Sequence, residues 1–241
     1  MGYNWVQFRA MIRKDWLTMK AEKSKIFWEL IFSVAYGMLI GYELSLQIKD
    51  PNLMGLGYCI LLLTCPIVFQ QSTNYIANAM VKDRDTKMKE SLKIVGMQPW
   101  IYSLAFLVQR GIWMLLPTIC VSAAILLFTS DYYDFRDIGP LFVALWLLGM
   151  GMCSVTMFLQ NFFKNSKLAP MVLPFLFFIP TGVAMTILLG PILTGSVNTY
   201  IQYLYWFPTF PFTVILVDLL DTNDGVYFET SSGVAWVMLV L

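Results

Sequence analysis

The sequence predicts an all-α fold: a polytopic helical membrane protein with an amphipathic N-terminal helix and six spans, the sixth incomplete and preceded by a re-entrant segment. Composition is the first observation behind that reading. Of 241 residues, 58% are hydrophobic and 13% charged, against about 25% charged in soluble domains. The second is the segregation of basic charge. Thirteen of the sixteen Lys and Arg residues lie in 1–25, 79–97 and 163–167. The intervening loops carry only Lys49 and Arg136, beside acids such as Asp131, Asp134, Asp218, Asp221 and Asp224. Bases gather in loops on the cytoplasmic or matrix side, which places the N-terminus there. The third is the length of the charge-free runs. No residue in 51–81 or 168–217 is charged, and about 20 apolar residues suffice to cross a bilayer.

Residues 1–25 form the first unit. Trp5, Phe8, Ile12, Trp16 and Met19 recur at steps of three and four, with Arg13, Lys14 and Lys20 elsewhere around the helix. Aromatic rings at headgroup depth and bases toward phosphates describe a helix lying in the membrane interface. A soluble partner-binding helix would share the pattern. Residues 26–241 read as a single transmembrane domain. Its first span is 26–46, followed by a short polar connector at 47–52 and a second span at 53–78.

Residues 82–96 read as a short amphipathic helix on the positive side. Asp83 and Asp85 precede Lys87 and Lys89 by four, the orientation that favours ion pairing. Val81, Met88, Leu92 and Val95 make an apolar stripe, Gly96 can supply a left-handed cap, and Pro99 prevents continuation. The regular stripe favours a docking surface over a solvated connector. Lys82, Arg84, Lys87, Met88, Lys89, Leu92 and Lys93 would carry it.

The third span, 100–128, contains Arg110. A buried Arg is costly, so it must snorkel, pair with another side chain or face a substrate path. The fourth span is 138–162, a tight turn holds Lys164 and Lys167, and the fifth span is 168–194. Residues 200–220 read as a segment re-entering from the far side, hinged at Pro208 and Pro211. Irregular backbone at that depth needs protein or water around it. The sixth span, 231–241, stops after eleven residues, about 16 Å of helix and about half a bilayer. The expectation is therefore that the polypeptide continues beyond Leu241.

Several chemistries are absent from the sequence. It has no histidine, the commonest general base and metal ligand. No Gly-x-x-x-x-Gly-Lys-Ser/Thr loop exists to cradle nucleotide phosphates, and no Gly-x-Ser-x-Gly elbow to present a nucleophile. Cys59, Cys65, Cys120 and Cys153 sit in apolar runs without metal-site spacing. No catalytic, cofactor-binding or metal-ligating residue is assigned. Nor is nucleic acid expected as a partner, since the bases serve membrane orientation. Inside the spans, Gln70, Asn74 and Asn78 form a ladder with Gln71 offset. Hydrogen bonding between helices and the lining of a substrate path both fit these residues and Arg110.

Four stretches resemble the transmembrane half of ATP-binding-cassette exporters of the A subfamily, the lipid-exporter group. "FRAMIRKDWLTMKAEKSKIFWELIF" is similar to the family's basic elbow helix leading into a span opened by an acid, here Glu29. "VKDRDTKMKESLKIVGMQPWIYSLAF" resembles its first intracellular loop, in which a charged run ends in Lys-Glu, here Lys89-Glu90, ahead of Gly96 and an aromatic-rich span. "LQNFFKNSKLA" is similar to its turn between spans four and five, and "FPTFPFTVILVDLLDTNDGVYFETSSGVAW" to its re-entrant far-side segment. The resemblance implies a type-V exporter fold that pairs with a second transmembrane half and moves lipid using an attached ATPase. Residues 82–96 would then be the coupling helix, and ATP would act only through a missing or separate domain.

Two functions follow. The first is the membrane half of a transporter of lipid or hydrophobic substrate. The second is a motor-less accessory subunit of a larger membrane assembly, which the short connector at 47–52 favours because the family carries a large domain there. The expected surroundings are a lipid bilayer, other membrane subunits and a separate ATPase. The organelle is left open, with the mitochondrial inner membrane among the candidates.

Overall fold

The computed structural model describes residues 3–21, 23–49, 54–94, 96–129, 135–163 and 168–194, together with 208, 209, 211, 212 and 215. Among them every regular element is helical. In chain order they are α1 (Tyr3–Ala21), α2 (Lys23–Lys49), α3 (Met54–Asp85), α4 (Met88–Ile94), α5 (Pro99–Thr129), α6 (Phe135–Leu159) and α7 (Ala169–Thr194). A single 3-10 turn, Gln160–Phe162, closes α6.

Helices α5 and α6 contain the stretches long and apolar enough to cross a membrane, Pro99–Phe128 and Gly139–Phe162. Shorter apolar stretches, Phe27–Tyr42 and Met171–Val183, lie in α2 and α7. The protein is an all-α helical membrane protein. The expected sixth span at 231–241, the Lys164–Lys167 turn and most of the re-entrant segment 200–220 fall outside the described residues.

Helix α3 is the hub, packed against α2, α5, α6 and α7, while α5 lies between α2 and α6 and carries α1 on its flank. Phe69, Ile76, Phe106, Met114, Leu145, Leu148 and Met152 fill the centre with almost no exposure. The outer surface is apolar as well: Met171, Phe175 and Ile179, spaced by four along α7, are 68%, 67% and 64% exposed. A helix apolar on its outer face as well as its inner one is solvated by lipid. The buried hydroxyls of Thr118, Thr156 and Thr181 are satisfied within their own helices: Thr118 donates to the Met114 carbonyl and Thr156 to that of Met152, each at 2.7 Å, and Thr181 to that of Phe177 at 2.6 Å. In lipid this local solution removes the need for a partner elsewhere.

One close helix approach was not anticipated from sequence. A Cβ added to Gly41 would lie 2.7 Å from the Ala124 carbonyl oxygen, and one on Gly37 would lie 3.1 Å from Val121 Cα. Gly37 and Gly41 thus form a Gly-x-x-x-Gly face that lets α2 seat directly on the α5 backbone.

One expected element is corrected. Residues 82–96 are not one helix: 82–85 complete α3, and α4 holds only seven residues. The break falls at Thr86–Lys87, where Lys87 adopts φ 54. The 32 residues of α3 extend about 48 Å, well beyond a hydrocarbon core of about 30 Å. Its basic end therefore projects past the membrane. At the other end of α4, Gly96 takes φ 89. Its N–H bonds the Lys93 carbonyl and that of Met97 bonds the Leu92 carbonyl, both at 3.0 Å. This paired arrangement is a Schellman cap, which requires the left-handed glycine the sequence supplies.

Candidate functional site

The middle of α1, the basic end of α3 and the start of α5 meet α4 in a polar cluster. Lys14 of α1 forms an ion pair with Asp83 of α3 at 3.1 Å and also lies 3.3 Å from the Met88 sulfur of α4. The Tyr102 hydroxyl of α5 donates to the same Asp83 oxygen at 2.9 Å. Asp83 was expected to pair with Lys87 one turn along. The helix break turns Lys87 away, and the chain-distant Lys14 takes its place. Asp85–Lys89 pairing is likewise absent among the described residues; Lys89 instead stands over the Tyr102 ring, 5.9 Å from its centroid.

Asp15 lies one residue along α1 from Lys14 and is turned further into the protein. It is 5% exposed, on a buried line with Met11 and Met19. Of the aromatic stripe expected to face one way, Trp5 and Trp16 stay more than half exposed, while Phe8 and Ile12 pack on the core. Gln109 of α5, with its amide set to satisfy both ends, donates to Asp15 Oδ2 at 3.0 Å and accepts from the Trp16 N–H at 3.3 Å. Burial is the main cause that lifts the Asp15 carboxyl to about 6. Lys14 and Arg110 pull it down in part, and Asp83 adds to the rise.

The proposed docking residues divide into two sets. Lys82, Lys87, Lys89 and Lys93 are exposed, and so is Ile94 at 86%, which the sequence reading had left out. Arg84 turns inward, donating to the Phe163 carbonyl and, at 3.4 Å, to that of Gln160, which ties the end of α3 to the end of α6. Met88 is half-buried against Lys14, and Leu92 packs against the core. These three anchor the loop. The elbow helix holds its far end, where the Gln7 amide donates to the Gly96 carbonyl at 3.2 Å.

This cluster forms one end of a groove of about 610 Å³ between α1, α2 and α3, which Lys14, Lys82 and Asp83 help to line. Gln71, Asn74 and Asn78 line it from α3, Glu29 and Trp28 from α2, and Asp15 and Thr18 from α1. Gln70 is half-buried outside that lining. The Ser72 hydroxyl donates to Glu29 Oε1, joining α2 to α3 beneath the groove. Asn74 Oδ1 has no hydrogen-bond partner among the described residues. Arg110 is 2% exposed, its guanidinium carbon 3.7 Å from the Tyr75 ring centroid. Stacking on an aromatic face is a structural pairing available to a cation denied water. Sequence reasoning found Arg110 and the amides but gave Asp15 and Glu29 no part in a shared cavity.

No group of three or more metal-ligating side chains occurs among the described residues. The arrangement offers a polar groove at the membrane boundary beside a braced, basic, outward-facing loop. No curated protein matches the chain. The family described as ABC-2 family transporter protein matches residues 40–241, which takes in the helices α3 to α7 and the last ten residues of α2, and the chain belongs to that family as a membrane component of an ABC-type transporter.

Proposed function

We propose that this chain is the membrane-spanning half of an exporter of lipid or other hydrophobic substrate, related to the A-subfamily lipid exporters and driven by an ATPase that docks on α4. The observation that carries the reading is the bracing of that loop. Lys87, Lys89, Lys93 and Ile94 face outward, while Arg84, Asp83 and Gly96 tie the segment to α6, to α1 with α5, and to α1 respectively. Force applied to a loop held at three points moves helices rather than bending the loop. Basic side chains with one exposed apolar residue suit an acidic cleft with an apolar pocket. The concentration of bases here supports a cytoplasmic or matrix-side position for α4 and the N-terminus.

Affinity purification of the intact gene product should recover an ATPase, and reconstituted vesicles should show ATP-dependent movement of a lipid analogue. Lys87→Glu combined with Lys93→Glu should abolish recovery of the ATPase while leaving the melting temperature unchanged. An intact product with no ATPase and no ATP-dependent flux sinks the proposal. That result would favour the accessory-subunit reading, for which the short connector at 47–52 is the supporting observation.

A further inference from the structure

The groove between α1, α2 and α3 has one end rich in acceptors. Glu29 lies six residues into α2, about 9 Å from its start, which puts its carboxylate near headgroup depth. Asn74 lines the groove together with Glu29, and its Oδ1 has no hydrogen-bond partner among the described residues. Two cations among the described residues, Lys14 and Lys82, line the groove, and neither is bonded to Glu29 or Asn74. Lys14 is paired with Asp83 at 3.1 Å, and Arg110 stacks on the Tyr75 ring at 3.7 Å without lining the groove. Lys82 lines the groove eight residues along α3 from Asn74, about 12 Å away.

An aromatic line leads from this end along α2. Trp28 and Phe32 line the groove and are 55% and 39% exposed. Their rings lie 5.9 Å apart, and Tyr36 continues the line 6.4 Å beyond Phe32. Together the three cover about 12 Å of helix, running away from the basic end of α2. A carboxylate and an amide oxygen call for a donor, the aromatic rims suit a cation, and the apolar track suits a chain.

We propose that this groove binds an amphiphilic amine. Its protonated nitrogen donates hydrogen bonds to Glu29 and Asn74 Oδ1, and its hydrocarbon tail lies along Trp28, Phe32 and Tyr36. The role of the amine as transported substrate rests on the exporter reading above; its binding does not.

The test uses the full chain in phosphatidylcholine nanodiscs, with empty nanodiscs correcting for partition and radiolabelled dodecylamine as ligand. Saturable binding is expected, and dodecyl sulfate should bind far more weakly. Glu29→Gln should weaken amine binding about tenfold or more, the effect of losing a charge-assisted hydrogen bond. Ser72→Ala breaks the link to α3 but keeps the charge, so it should stay within about threefold of wild type. Asn74→Leu should remove the preference for dodecylamine over dodecyltrimethylammonium, which has no N–H to donate; this variant decides the matter if Glu29→Gln does not fold. Non-saturable binding, equal binding of the sulfate, wild-type affinity in Glu29→Gln or an unchanged preference in Asn74→Leu would overturn the proposal. Amine binding without ATP-dependent flux would sink the exporter reading alone, and flux without amine binding would sink only this site.

Discussion

Asp15 sits 5% exposed against α5, where its carboxyl is lifted to about 6. The sign of its effect on stability follows from the direction of that shift. A carboxyl whose folded pKa lies above its unfolded value binds its proton more tightly in the native state. The stabilisation from that proton is complete below about pH 4 and is lost as pH rises through about 6. Two units correspond to about 3 kcal/mol, an upper figure because salt and local water soften it. Asp15→Asn removes the titration while retaining an acceptor for Gln109. Wild type should therefore melt with or above the variant near pH 4 and below it at pH 7, measured in one detergent by a thermal scan. A difference that does not vary with pH would rule this out. Arg110, one of the charges lowering that carboxyl, gives a second expectation. Arg110→Met keeps the packing over Tyr75 but removes the charge, and should move the Asp15 transition to higher pH. The sequence exposes Asp15 as an acid in a basic helix, and its spacing of four from Met11 and Met19 could have marked it as inward-facing. What it could not supply was the partner, because Gln109 is 94 residues away in the chain.

Between elements, the decisive contacts are backbone ones. The Gly37–Gly41 face of α2 lies so near α5 that a Cβ at Gly41 would stand 2.7 Å from the Ala124 carbonyl oxygen. Gly41→Ala must push the two helices apart and should cost about 1–3 kcal/mol. Gly182, where an added Cβ meets nothing within 4 Å, is the control. Gly182→Ala should be neutral or stabilise by up to about 1 kcal/mol through helix propensity. Chemical or thermal unfolding of both variants in the same detergent checks the pair, and equal effects would refute the account. At the loop, Gly96 adopts φ 89, and Gly96→Ala should cost about 1–2 kcal/mol by forcing a Cβ into the left-handed region. The Gly96 cap was legible because glycine followed shortly by proline is a local stop signal. The break at Lys87 was not. Nothing in Asp85-Thr86-Lys87 forbids helix, and the turn is instead set by tertiary bonds: Lys14 to Asp83, and Arg84 to the end of α6.

For the whole molecule, the segregation of bases makes a topological claim that labelling can check. In a background lacking the native cysteines, single cysteines at Arg9 and Lys87, both exposed, should react with a membrane-impermeant maleimide from the same side. A cysteine at Ile179, exposed on the apolar face of α7, should resist it from either side. Labelling of Arg9 and Lys87 from opposite sides would overturn the topology. The amino-acid sequence by itself determined the all-α membrane class and the positions of the long helices, because both depend on local composition: apolar length against bilayer thickness, and the cost of moving Lys or Arg through hydrocarbon. It also marked α4, Arg110 and the amides of α3 as unusual. Only the tertiary structure decided what those residues do. It split 82–96 in two, turned Arg84 inward, seated Arg110 on Tyr75 and gathered Asp15, Glu29 and Asn74 around one groove. The reason is physical: the cost of an unpaired polar group in lipid is fixed by its chemistry, but the partner that relieves it comes from a different helix, and which helices meet is set by packing such as the Gly37–Gly41 seat.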